Sequence, residues 1–495
     1  MRSVASFATG FLLASVAYTQ VVQWSIEKRG NPAHKLSRRA DDTVEEIITN
    51  EKMRGGYFAS CTVGTPPQNV TLQLDTGSSD IWVPASNASI CEQRSSQSGG
   101  CSFGSFDSES SSSGVTVNDD FQIAYVDGSY SRGAYIAETF GIGNVELENV
   151  TMGLGLDTDI AYGLVGVGYA LNEASASQTD EVYNNLPLVM LSEGRINTNA
   201  YSLWLNDLDA SRGNILFGGI DTDKYTGDLI RVNVEKDSRT GEFTAFTVQL
   251  TSLEAHSSSG DDTLSSSTFP VPVVLDSGTT FSYLPQELAE QVWQEVGADY
   301  YIIGQGGSGA PLVPCSLGSN KGYFTFGFGG KGGPAIKVVM DELVVPIASS
   351  SIPFPSGPYQ GEDACQFGIQ NITGNSFLLG DTFLRSAYVV YDLENNEIGI
   401  APTDFNATTS NIVAFPSRGA EIPSSTPAPS QDALTTGSTG DPAFNARSGF
   451  TQQSGNGNEP DSAASLPPAL DLTQFAVMGA TMGLMMLGSG MFLLF

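Results

Sequence analysis

Leu72-Gln73-Leu74-Asp75-Thr76-Gly77-Ser78-Ser79 returns in the second half of the chain as Val273-Val274-Leu275-Asp276-Ser277-Gly278-Thr279-Thr280. In each copy an apolar, strand-like run enters Asp-[Thr/Ser]-Gly-[Ser/Thr], a turn whose glycine tolerates tight backbone geometry. A second glycine-bearing apolar run follows each copy: Ala161-Tyr162-Gly163-Leu164-Val165-Gly166 after the first, Phe377-Leu378-Leu379-Gly380-Asp381 after the second. One Asp-Thr-Gly by itself is an ordinary Asx turn between strands. A strand–loop–strand–glycine unit carried twice predicts instead two related lobes, 56–222 and 223–404, whose pseudo-two-fold axis brings both aspartate loops together.

Chemistry gives such a meeting a purpose. Two carboxylates about 3 Å apart cannot both ionise, so they share one proton and hold a general base and a general acid at once. Such a pair can activate a water and protonate a carbonyl oxygen, which hydrolyses an amide without histidine, metal or covalent intermediate. The composition agrees. His34 and His256 are the two histidines in 495 residues, too few for a histidine metal site or for most serine and cysteine triads. Neither cofactor nor metal is expected, and a metal-dependent hydrolase fails for lack of ligands. Lys and Arg number 22 against 54 acidic residues, a net charge of −32, which excludes nucleic acid as a partner and favours an acidic working environment. With 55 glycines and 15% charged residues, the chain reads as all-β and rich in turns. Short β-branched or aromatic runs broken by Gly, Pro, Asn and Asp fill the body; the main helical signal is Pro285–Val296.

The flanks read as processing segments. Residues 1–19 have the charge and apolar pattern of a secretory signal, and the dibasic pairs Lys28-Arg29 and Arg38-Arg39 mark a propeptide at 20–39, ending as late as residue 54. Its cations Lys28, Arg29, Lys35, Arg38 and Arg39 suit an inhibitory prosegment with one side chain between the two carboxylates. Residues 405–470, rich in Ser, Thr, Pro, Gly and Asn, read as a solvated stalk. The apolar terminus 471–495 behind small residues reads as a GPI-attachment signal, with Ser462, Asp461, Gly455 and Asn456 as candidate attachment residues. A spanning helix is the alternative, and Gly479 and Gly483 make a GxxxG pair, but a positive flank is missing. Sequons stand at Asn69, Asn87, Asn149, Asn371 and Asn406. Among three possible pairings of four cysteines we expect Cys91–Cys101 and Cys315–Cys365, with Cys61 a buried free thiol.

At these residues the chain closely resembles the pepsin-like aspartic endopeptidases, especially fungal secreted, candidapepsin-like and yapsin-like surface members, over about residues 56–404. The resemblance implies a bilobal β fold with a substrate cleft, and implies the proton-sharing dyad as a family property. On motif match Asp75 and Asp276 are the catalytic pair. Thr76 and Ser277 lock the loops together beside Gly77 and Gly278, and Ser78 and Thr279 bond the outer carboxylate oxygens. Ile123–Ser129 matches the flap: Tyr125 is its tyrosine, Trp82 the partner of that tyrosine, and Gly128 and Ser129 complete the turn, while Thr280 belongs to the substrate side. Val126 departs from the family's usual glycine. Asp127 is expected to favour Lys or Arg beside the scissile bond, as a carboxylate over the first pocket can pair with a cation. Polypeptide substrates, a monomer, a membrane link through GPI, and a place at the cell surface or wall complete the expectation. A non-catalytic peptide-binding module and an adhesive wall protein are the competing readings; the intact aspartates and hydroxyls oppose the first, and the complete two-lobe unit and lack of a repeat array oppose the second.

Overall fold

The computed structural model describes residues 21–28, 56–92, 100–125, 128–143, 145–179, 181–208, 212–265, 269–303, 308–347, 353–354, 358–374, 376–431 and 442–451. The expected signal, the prosegment beyond Lys28, Val126, Asp127, and the anchor candidates Gly455, Asn456, Asp461 and Ser462 lie outside the described residues.

The described chain is mostly strand with a few short helices, as expected. A 14-stranded sheet runs through the molecule. Its middle joins the two halves of the chain, because Ala200–Trp204 pairs antiparallel with Ala387–Asp392, Tyr201 opposite Tyr391. The second large sheet has 8 strands and belongs to the C-terminal half.

The repeat folds the same way twice. Gln68–Asp75 lies parallel to Gly163–Gly166, Leu74 opposite Val165, and the returning strand Ile81–Pro84 is antiparallel to that same neighbour. Likewise Val271–Leu275 lies parallel to Phe377–Leu379, and Ser282–Pro285 returns antiparallel beside it. Leu72, Leu74, Val271, Val273 and Leu275 are buried in one core, so hydrophobic burial fixes the register that delivers each aspartate to its strand's end. The distal glycines let the Asp loops cross them. A Cβ on Gly166 would stand 2.5 Å from Ser79 N, and one on Gly380 would stand 2.4 Å from the carbonyl oxygens of Thr279 and Phe281.

The expected helix is Gln286–Val296, ended by Gly297 at φ 68°, the left-handed cap that glycine supplies. Cys91–Cys101 and Cys315–Cys365 are joined by disulfides, and Cys61 is a buried free thiol.

One expectation, at the C-terminal flank, needs correction. A stalk from residue 405 onward does not fit residues 405–431 and 442–451. Ile412–Ala414 pairs with Gly219–Asp221, Ser425–Pro427 pairs with Leu229–Asn233, and Phe415, Ile422, Ala428, Ala446 and Phe450 are buried. The segment is too poor in apolar residues to form a core, yet it adds single side chains and backbone ladders to one that exists. Val22–Lys28, the start of the expected propeptide, is a strand between Arg212–Phe217 and Tyr57–Val63, with Val22, Trp24 and Ile26 buried; packing of this kind is compatible with the expected cleavage after Arg39.

Candidate active site

Each aspartate ends its apolar strand, and the turn after it folds back onto the carboxylate. Gly77 N–H donates to Asp75 Oδ1 at 2.8 Å and Ser78 Oγ–H to Asp75 Oδ2 at 2.5 Å. In the second copy Gly278 N–H donates to Asp276 Oδ1 at 2.8 Å and Thr279 Oγ1–H to Asp276 Oδ2 at 2.6 Å. The residues between are crossed. Thr76 Oγ1–H donates to Leu275 O at 2.9 Å and accepts from Ser277 N–H at 2.9 Å. Ser277 Oγ–H donates to Leu74 O and accepts from Thr76 N–H, each at 3.2 Å. Four reciprocal bonds thus tie the loops across the lobe boundary.

The glycines between them have no room for a side chain. A Cβ on Gly77 would lie 2.6 Å from Asp276 Oδ1. A Cβ on Gly278 would lie 2.3 Å from Asp75 Oδ1 and 3.1 Å from Asp276 Oδ1. One point close to both inner oxygens means the two carboxyls face each other.

Both aspartates are fully buried. Burial and then the Asp276 charge hold Asp75 well above the usual carboxylate range, against the bonds from Ser78 and Gly77. Burial also raises Asp276, against the bonds from Thr279 and Gly278. The pair therefore keeps a proton where isolated carboxyls would lose theirs.

The strands Val115–Ala124 and Tyr130–Ile142 pair antiparallel. Gly128 N–H donates to Tyr125 O and Tyr125 N–H to Ser129 O, both at 2.9 Å, with Gly128 at φ 83°. Tyr125 Oη accepts from Trp82 Nε1–H at 2.8 Å, both side chains fully buried. Burial and then the charge of Asp75 push the Tyr125 phenol up. Thr280 is nearly buried, and its carbonyl accepts from Thr382 N–H.

Two carboxamides outside the Asp-[Thr/Ser]-Gly-[Ser/Thr] turns also hold the loops. Gln73 Nε2–H donates to Gly278 O at 3.2 Å, and Asn172 Nδ2–H donates to Gly77 O at 3.1 Å. A polar residue inside an apolar strand is the signal for Gln73; Asn172, at the end of the short 3-10 helix Ala170–Asn172, carries none. Below the hairpin, buried Asp80 accepts from Tyr135 Oη–H at 3.0 Å, Tyr183 Oη–H at 2.7 Å and Ala174 N–H at 2.8 Å. Buried Glu173 accepts from Tyr183 N–H at 2.9 Å. Among the described residues no group of three or more His, Cys, Asp and Glu side chains could hold a metal.

Residues 56–403 match the family described as Eukaryotic aspartyl protease. The chain is 39% identical over 416 residues to the "Probable aspartic-type endopeptidase OPSB" of Trichophyton verrucosum, covering 83% of this chain and 81% of that one. It is 35% identical to the "Acid protease" of Saccharomycopsis fibuligera, over 76% of this chain and 88% of that one. The "Secreted aspartic protease 3" of Candida albicans is also 35% identical, over 75% of this chain and 85% of that one.

Proposed function

The chain belongs to the eukaryotic aspartyl protease family and is an aspartic-type endopeptidase; from that premise we propose that Asp75 and Asp276 are its catalytic pair. The observation that carries this is the crossed Thr76–Ser277 lock, which leaves the two carboxyls facing each other in a buried niche. The ionised member takes a proton from a water while the protonated member donates to the scissile carbonyl oxygen. The water oxygen bonds to the carbonyl carbon to give a gem-diol. The carbon–nitrogen bond then breaks as the amine takes the proton first removed from water, and one gem-diol hydroxyl returns its proton to the carboxylate that had donated one, which restores the shared proton. Tyr125, held by Trp82, closes over the peptide.

The enzyme works outside the cytoplasm, in keeping with its two disulfides and with the name of the Candida relative. It is held at the cell surface by a GPI anchor near Asp461 and Ser462. It prefers Lys or Arg beside the scissile bond, through Asp127; a net charge of −32 would steer such cationic peptides toward it.

Digestion of matched peptides with Lys or Leu before the scissile bond, at acidic pH, tests the reading. Asp75→Asn and Asp276→Asn each abolish cleavage, and Asp127→Ala lowers the Lys/Leu ratio with both aspartates intact. Activity surviving in either Asn variant sinks the dyad, and an unchanged ratio dismisses Asp127. Phosphatidylinositol-specific phospholipase should release the cell-bound enzyme; retention would dismiss the anchor.

A further inference from the structure

The two copies of the motif differ two residues before the aspartate. Val274 precedes Asp276, whereas Gln73 precedes Asp75. Strand residues alternate between faces, so Gln73 shares a face with Asp75 while Leu72 and Leu74 point into the core. The glutamine is 5% exposed. Its Nε2–H crosses the lobe boundary to Gly278 O, and Gly56 backs the amide, since a Cβ there would stand 2.9 Å from Nε2. Turning the amide over would set oxygen against oxygen, so the hydrogen-bond network fixes which end faces Gly278. Oε1 is buried as well.

A buried amide carries a desolvation cost that an apolar side chain avoids. Val274, also buried, demonstrates that the strand position itself accepts an apolar residue. Packing therefore does not explain the amide. Its bond does: Gly278 is held on both sides, its N–H on Asp276 Oδ1 and its C=O on Gln73. Gly77 is held in the same manner, between Asp75 Oδ1 and Asn172. Both carboxamides come from the N-terminal lobe, so only Gln73 reaches across to the other half of the dyad.

We propose that Gln73 is a positioning residue, which pins the Gly278 carbonyl across the lobe boundary so that the Gly278 N–H stays on the inner oxygen of Asp276 through the reaction. The assignment rests on Asp75 and Asp276 being the catalytic pair.

Gln73→Met keeps the length of the side chain and loses the donor. Gln73→Glu keeps a donor only while protonated. With thermal midpoints recorded for both, Gln73→Met should lower kcat about tenfold across the acid range, with KM changed less than about twofold. Gln73→Glu should match the wild type at the lowest pH and lose activity ahead of it as pH rises, because a carboxylate cannot donate to Gly278 O. Both variants lying on the wild-type pH profile, or a Gln73→Met effect confined to KM, overturns the proposal. Should Gln73→Met fail to fold, the Gln73→Glu profile decides. Asp276→Asn is assayed alongside. Activity there would overturn the dyad, whereas an inactive Asp276→Asn beside a wild-type-like Gln73→Met removes only the role given to Gln73.

Discussion

Trp82 does two jobs that a single substitution separates. Its ring packs tilted against Phe121 at 6.5 Å between centroids, and its Nε1–H holds Tyr125. Trp82→Phe keeps most of the ring and removes the donor, leaving the buried Tyr125 hydroxyl without its tryptophan partner. Kinetics on a good peptide substrate should then fall by up to about tenfold in kcat/KM, the scale of one hydrogen bond, with the thermal midpoint little changed. A variant with wild-type kcat/KM would mean that the bond does not serve the hairpin. At this scale the residues that repeat were legible, because two copies of Asp-[Thr/Ser]-Gly-[Ser/Thr] announce partners for each other. Asn172 was not, and Gln73 showed only as a polar residue in an apolar strand, without its partner. A lone amide says nothing of which carbonyl it will meet until the chain has folded.

Among the elements, the strands of the repeat and the helix Gln286–Val296 follow from local pattern, whereas the segment after residue 404 does not. Composition counts apolar residues per length, but a segment docking on a finished core needs only a few well-placed ones. Phe450 stacks on Phe324 with centroids 5.7 Å apart and fills the space left by Gly322, where a Cβ would lie 2.2 Å from its ring. Asp262 accepts from Ala443 N–H at 3.1 Å and Ala446 N–H at 2.9 Å, and Ser257 Oγ–H donates to Ala446 O at 2.5 Å. Removing the ring should cost about 3 kcal/mol of docking. Phe450→Ala should accordingly speed amide hydrogen exchange over residues 442–451 by about a hundredfold while the catalytic lobes stay protected. Peptidase activity should not change. Exchange that rises across the whole C-terminal lobe would show that this segment is part of the folding unit rather than an addition to it.

For the whole molecule, the direction of the buried carboxyl groups sets how stability follows pH. Glu173 is pushed up to about 9, chiefly by burial and then by Asp80, against the bond from Tyr183. Glu295, fully buried on the helix Gln286–Val296, is pushed up to about 8 by burial and by Asp262, against the charge of Arg447. Burial raises Asp80 as well. A folded state that holds a proton more tightly than the unfolded chain gains stability in acid. That gain is complete below the ordinary glutamate value of 4.5 and is lost as pH climbs through about 8 and 9. These carboxyls lie in different lobes, so neither lobe should escape. Thermal midpoints measured from acid to alkaline pH should fall steadily for the wild type. The double variant Glu173→Gln, Glu295→Gln, neutral at every pH, should fall less steeply. Parallel slopes for the two proteins would assign the loss to other groups, while a wild-type midpoint that rises with pH would reverse the sign of the argument. The dyad adds to the same slope, since it too is a buried pair that keeps a proton only when folded. On the proposed dyad, chemistry that needs a shared proton is thus built on a fold that itself loses stability as its buried carboxyls give up theirs.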